Sequence, residues 1–260
     1  MSGIILQTII RGISAIGRRT IGKDFAQIMA TGCNLIRRFE DDPNGIYLTF
    51  DDSPNDVSTL PILEALGEQG IKATFFCIGR NVVRHPHLAK AIEASGHEVA
   101  NHSMTHPDLW WISPRKARED LARCQTYLQA VTGTAATSFR APYSHFRRDL
   151  RSVGNIGLRH LVSCDVSPAW DETSPTAMAE LILRDSRPGS IILLHDGLYG
   201  VDAELSNKAG AAAATCIGLI APEIKARGLT FKTLAEHQLR ATSSSLGAGS
   251  QPASSSFSLL

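Results

Sequence analysis

The sequence has no excess of charge of either sign: 26 basic residues face 25 acidic ones, for a formal net charge of +1. That leaves no electrostatic footprint for nucleic acid or for an anionic membrane, and points to a neutral partner. Paired cysteines are lacking too. The five cysteines, at positions 33, 77, 124, 164 and 216, contain no CxxC pair, and an odd number cannot all pair within one chain. They read as free thiols in a reducing compartment. Near the N-terminus the apolar run is short as well: Ile4–Ile10 spans only seven residues, Arg11 follows it, and no basic segment precedes it. This argues against a signal peptide and excludes a simple membrane span in that stretch. A cytoplasmic protein is the expectation. No internal repeat is visible.

What is present suggests one large domain, since 260 residues suit a single α/β barrel. Residues 1–44 are expected to form a helical extension. There Ile5, Ile9, Ile13 and Ile16 make an apolar stripe, with Arg11, Arg18 and Arg19 elsewhere. A helix packed on the domain is the plain reading, and a helix lying on a membrane surface the alternative. Residues 240–260 are rich in Ser, Gly and Ala and are predicted to be a disordered tail.

Between them, residues 45–239 alternate β-rich and helical patterns. Strands are predicted at Ile46–Phe50, Ala73–Ile78, Glu98–Asn101, Ser138–Arg140, His160–Cys164, Ile191–Leu194 and Thr230–Lys232. Helices are predicted at Thr59–Gln69, Pro86–Ala94, Pro114–Val131, Phe146–Gly154, Pro175–Asp185 and Ala212–Arg227. Strand followed by helix, repeated, implies a parallel sheet, because a parallel crossover needs a helix-sized connection. A distorted, seven-stranded (β/α) barrel fits.

The polar residues that carry chemistry fall where the apolar runs stop, and in βα barrels the C-terminal ends of the strands are the catalytic face. Tyr47-Leu48-Thr49-Phe50 runs into Asp51-Asp52 and then into the chain-breaking Ser53-Pro54-Asn55. Neighbours in a regular strand point to opposite faces, so both carboxylates can serve one site only where the backbone turns. The Ser-Pro-Asn turn is expected to provide that. Alone, such a pair is as well explained by an aspartate opening a turn. After the next strand but one comes Asn101-His102-Ser103-Met104-Thr105-His106-Pro107, with two imidazoles spaced to face one metal ion. With Asp52 as the carboxylate they make a three-ligand set that leaves positions open for water. Asp51 is then free to take a proton from that water.

Arg140-Ala141-Pro142-Tyr143 ends a fourth strand; its guanidinium can pair with a carboxylate and its turn can present a backbone N–H to an oxyanion. Ile191-Ile192-Leu193-Leu194 ends in His195, a candidate general acid. His97, in Gly-His-Glu before a strand, reads as structural or at most as a support behind the ligands. Each piece alone has an ordinary explanation. Together they compose one hydrolytic site.

TFDDSPN, HSMTH, RAPY and LLH, in this order and spacing, closely resemble the motif series of the NodB-homology polysaccharide deacetylases, the fourth carbohydrate esterase family. The likeness runs from about Gly45 to about His237 and is nearest to the nodulation-type chitooligosaccharide deacetylases. It implies a distorted βα barrel and a divalent metal, often zinc or cobalt, held by Asp52, His102 and His106. It implies Asp51 as base, Arg140 holding that base, the Tyr143 N–H at the oxyanion and His195 protonating the leaving amine. Trp170 and Leu193 would line the pocket for the acetyl methyl, beside Tyr143. The reaction implied is removal of an N-acetyl group from an N-acetylglucosamine unit of a chitooligosaccharide or related glycan. Peptidoglycan is the rival substrate, and a non-catalytic glycan-binding module the rival class.

Three positions depart from the pattern. Ser53 and Ser144 stand where the family usually has glycine, which adds bulk and restricts the backbone. Ala169 stands where an aspartate usually assists the catalytic histidine, leaving Asp165 or Asp171 as substitutes.

Overall fold

A computed structural model describes residues 34–146 and 153–238. Its strands are β1 (Asn34–Ile36), β2 (Gly45–Ser53), β3 (Thr74–Cys77), β4 (Glu98–Asn101), β5 (Ser138–Phe139), β6 (His160–Val162), β7 (Ile191–His195) and β8 (Thr230–Phe231). All pair in parallel, in the order β1-β6-β5-β4-β3-β2-β7, with β8 added to β2. The sheet curls until its ends meet: Val166, just past β6, bridges to Ile192 of β7, and Arg38, just past β1, bridges to Ser190. The result is the distorted barrel that the alternating pattern predicts, with eight strands in place of the seven expected because β1 is added at its edge.

Around it run α1 (Thr59–Glu68), α2 (Gly79–Arg84), α3 (Pro86–Ala94), α4 (Pro114–Thr132), α5 (Pro175–Asp185) and α6 (Ala203–Ala226). Their starts follow local chemistry. Ser113, Ser174 and Asp202 each accept a backbone N–H from the first turn of α4, α5 and α6, and Pro114 and Pro175 sit where a missing N–H costs nothing. Helix α6 lays Ala209, Ala213, Ile217, Ile220 and Ile224 on α5 and α1. It is the one helix among the described residues long and apolar enough to cross a membrane. Ile62 and Leu66 of α1 are fully buried in the same layer, where truncation of either to Ala costs about 2–5 kcal/mol.

Strand β2 pairs with β3, β7 and β8, and all nine of its residues are buried. Ile46, Leu48 and Phe50 belong to the large core under the helices, whereas Tyr47 joins a smaller inner cluster with Phe76, Val162 and Ile191. By the same alternation Thr49 and Asp51 follow Tyr47 toward the barrel interior.

Three expectations change. Strand β1 lies ahead of residue 45 and joins the sheet beside β6, so the sheet takes in part of the segment expected to be a helical extension. Helix α2 is too short for a periodic signal to reveal it. Helix α6 begins nine residues before Ala212, because Glu204, Ser206, Asn207 and Lys208 hide the helical period of its first turns. The predicted helix Phe146–Gly154 falls mostly outside the described residues, and its described end is a single 3-10 turn at Gly154–Ile156. The expected amphipathic helix before residue 34 and the tail from 240 lie outside the described residues.

Candidate active site

Asp51 and Asp52 reach one cavity by a different route from the turn expected. Strand β2 continues to Ser53, and it does so through a bulge: Phe50 pairs with Phe75 and Ser53 with Cys77, so three steps on β2 match two on β3. Asp52 carries the strain, with φ of 65°. Asp51 stays in register with His195 on β7, facing inward, and the left-handed residue swings Asp52 to the same side.

The histidine loop after β4 is likewise curled by left-handed residues, Ser103 (φ 67°) and His106 (φ 54°). Its shape is held from several sides. Asn101 Oδ1 accepts from Ser103 N at 2.8 Å, Ser103 Oγ accepts from His106 N at 3.0 Å, and Asp120 on α4 accepts from Met104 N at 2.6 Å and from Thr105 Oγ1 at 2.7 Å. Helix α2 supplies the rest: Gly79 N and Arg80 N donate to the carbonyls of Ser103 and Met104, and Asn81 Nδ2 donates to the Asp52 carbonyl at 2.9 Å. A Cβ on Gly79 would meet Met104 Sδ at 2.5 Å and the Cys124 Cα at 3.2 Å, so a larger residue there would have to push the Met104 side chain aside.

His102 Nε2 lies 3.5 Å and His106 Nε2 3.2 Å from Asp52 Oδ1. His102 Nδ1 donates to the Arg140 carbonyl at 2.9 Å, which fixes the tautomer that turns a bare Nε2 inward. Asp52 Oδ2 is engaged by Tyr199 N at 2.9 Å, while Oδ1 is buried without a hydrogen-bond partner among the described residues. Asp52, His102 and His106 are all buried, with ligand atoms within 4.8 Å of one another. Tetrahedral bonds of about 2.1 Å put donors about 3.4 Å apart, which the two measured separations bracket. The residues therefore fit a divalent cation.

Burial alone would raise the Asp52 carboxyl, but the neighbouring His106 and His102 outweigh it and hold it well below the usual range. Burial likewise works to lower His102, yet Asp51 and Asp52 overcome it and raise its proton affinity. A pocket that draws a proton onto His102 is one that attracts positive charge.

Arg140 is almost completely buried and uses its whole fork. Nη1 donates to Asp51 Oδ1 at 2.7 Å and to Thr49 Oγ1 at 2.9 Å, Nη2 to the Ser163 carbonyl at 3.0 Å and Nε to the Val162 carbonyl at 3.3 Å. The guanidinium carbon sits 4.1 Å over the Phe76 ring. Tyr143, at φ 59°, packs its half-exposed ring on His106 with centroids 4.7 Å apart, and its N–H has no acceptor among the described residues. Burial raises the Tyr143 hydroxyl, with Asp52 adding to the effect.

His195 ends β7 beside Asp51 and makes no side-chain hydrogen bond among the described residues. Burial lowers its proton affinity while Asp52 and Asp51 pull the other way, and His102 and Arg140 add to the lowering. It shares a small pocket with Ala169, Trp170, Glu172, Met178 and Leu193. Asp165 does not face it. Its carboxylate accepts from Ser190 Oγ at 2.9 Å and Ile191 N at 2.8 Å, holding the start of β7.

Of the two serines that replace glycine, only Ser144 needs a glycine's freedom, with φ of 57°; Ser53 is a strand residue opposite Cys77. His97 is structural: its Nδ1 accepts from Ala73 N at 3.2 Å and its ring packs on Phe75. Sequence reasoning missed Asn81, Asp120 and Tyr199, supports drawn from α2, α4 and the loop after β7. Only Gly197 hinted at the last, its φ of 124° and the approach of Asn55 leaving no room for a side chain.

Comparison with known proteins agrees with this geometry. The sequence pattern described as polysaccharide deacetylase matches residues 39–160. A chitooligosaccharide deacetylase of Sinorhizobium fredii is 38% identical over 200 residues, covering 74% of this chain and 91% of that one. A crystal structure of a peptidoglycan N-acetylglucosamine deacetylase superposes with a TM-score of 0.72 at 25% identity, over 82% of this chain and 95% of the other. A family 4 carbohydrate esterase from Streptomyces lividans, in complex with acetate, gives 0.64 at 29% identity, over 74% and 94%.

Proposed function

Because the chain belongs to the polysaccharide deacetylase family, we propose that it hydrolyses the N-acetyl group of an N-acetylglucosamine unit in a chitooligosaccharide or related glycan. The observation that carries this reading is the buried, unpartnered Asp52 Oδ1 with two imidazole Nε2 atoms aimed at it. Asp52, His102 and His106 would hold the metal. Two neutral nitrogens and one carboxylate suit Zn2+, with Co2+ the alternative. A cation there supplies Lewis-acid polarisation of the acetamide carbonyl and acidifies water.

Asp51 accepts the proton of the attacking water, its carboxylate oriented by the Arg140 fork. The free Tyr143 N–H faces the oxyanion that develops on the carbonyl oxygen. His195 delivers a proton to the amide nitrogen as the C–N bond breaks; its lowered proton affinity makes its protonated form a ready donor. Acetate and a free amino sugar leave. Trp170 and Leu193 support a pocket for the acetyl methyl. The free, mostly buried thiols Cys77, Cys124, Cys164 and Cys216 support a reducing, cytoplasmic location.

The test is acetate release from N-acetylglucosamine oligomers by the metal-loaded protein, with Asp51→Asn and peptidoglycan fragments in parallel. Release from the oligomers that Asp51→Asn abolishes is the expected result. Near-full release by Asp51→Asn, or release from peptidoglycan alone, overturns it.

A further inference from the structure

The chain has three tryptophans, and all three stand on loops at the C-terminal ends of strands. Trp170 lines the pocket beside His195. Trp110 and Trp111, on the loop from β4 to α4, are 48% and 77% exposed. Two adjacent exposed indoles are a large apolar surface to leave in water without a use.

The loop that carries them is pinned. Leu109 is fully buried beneath it, Trp110 N donates to Asp108 Oδ1 at 2.9 Å, and Trp111 N donates to the Asp108 carbonyl at 3.2 Å. The other Asp108 oxygen meets His145 Nδ1 at 3.0 Å, joining this loop to the segment that bears Tyr143. Tyr143 in turn packs on His106. Trp110 is four residues beyond His106, so at most about 14 Å of extended chain separates them. The exposed indoles thus stand on the same pinned loop that follows His106, within that reach of the site.

We propose that Trp110 and Trp111 form a stacking platform for further sugar rings of the same glycan, so that this enzyme selects longer oligosaccharides. Pyranose rings offer apolar C–H faces to aromatic planes, and their neutrality matches the balanced charge of the chain. A pre-fixed loop also binds without the entropy of ordering itself. The inference rests on the glycan reading of the site.

Two measurements keep the two apart. The first is kcat/KM for acetate release from the dimer through the pentamer of N-acetylglucosamine, with Trp110→Ala, Trp111→Ala and Trp111→Phe. The pentamer-to-dimer ratio is expected to exceed one, to fall by about tenfold in Trp111→Ala and to recover in Trp111→Phe, the scale of one lost aromatic contact. The second is tryptophan fluorescence titrated with the pentamer in Asp51→Asn, which reads binding without turnover. If no oligomer is deacetylated but the pentamer binds and Trp111→Ala weakens it, the platform stands and the deacetylase reading fails. A ratio unchanged by the substitutions, or no saturable response to the pentamer, overturns the platform.

Discussion

Arg140 grips Asp51 through Nη1 at 2.7 Å while its own carbonyl oxygen takes the Nδ1 proton of His102. One residue at the end of β5 therefore orients both a proposed base and a proposed ligand. Arg140→Lys keeps the charge but loses the planar fork that also ties Thr49, Val162 and Ser163. We expect acetate release to drop by about a hundredfold. Arg140→Ala, which strands a buried carboxylate, is expected to cost about 3–5 kcal/mol in urea unfolding.

Metal removal offers a reading that does not depend on turnover. Zinc at a hundred times its dissociation constant should stabilise the stripped protein by about 2.7 kcal/mol, seen as a rise in Tm. His106→Ala, which leaves two of the three donors, is expected to abolish that rise. An equal rise in the variant would place the metal elsewhere.

Ala169 opens the pocket that His195 lines, and Asp165 is committed to Ser190 and Ile191. A carboxylate added beside His195 would raise its proton affinity and fix its ring. Ala169→Asp is expected to increase kcat by at least about tenfold and to move the alkaline limb of the rate profile, set by the acid, to higher pH. Unchanged rate and profile would show that His195 works without an orienting acid.

His97 predicts how stability depends on pH. Burial, with Lys72 adding to it, lowers this imidazole from 6.5 to about 4. Between those values the unfolded chain takes up a proton and the native one does not, so native stability is complete above about pH 6.5 and declines as pH falls toward 4, by about 3 kcal/mol in all. His97→Asn leaves an acceptor for Ala73 N and removes the titration. Urea unfolding from pH 7 to 4 should show a shallower decline in that variant.

The candidate site residues were legible because each stands at or just past the point where an apolar strand stops, and that boundary is written in local hydrophobicity. Asp51, Asp52, His102, His106, Arg140 and His195 all gather in one place for that reason. Their supports were not legible. Asn81, Asp120 and Tyr199 belong to elements distant in sequence, and nothing near them states which loop they hold. Helix α2 and strand β1 are too short to show a period, and the polar start of α6 masks one. The bulge in β2 was hidden as well, since a proline turn just after the aspartates supplied a sufficient reason for the chain to bend.

That bulge makes the site a matter of parity. Along an unbroken strand odd and even positions never share a side, so a base and a ligand written as consecutive letters would be parted by the sheet itself. A single surplus residue, accommodated at Asp52, merges the two series at one point. Only Asp51 and Asp52 lie between Phe50 and Ser53, so the surplus residue that makes the bulge is itself one of the two carboxylates, and a strand kept in regular register there would have to give one of them up.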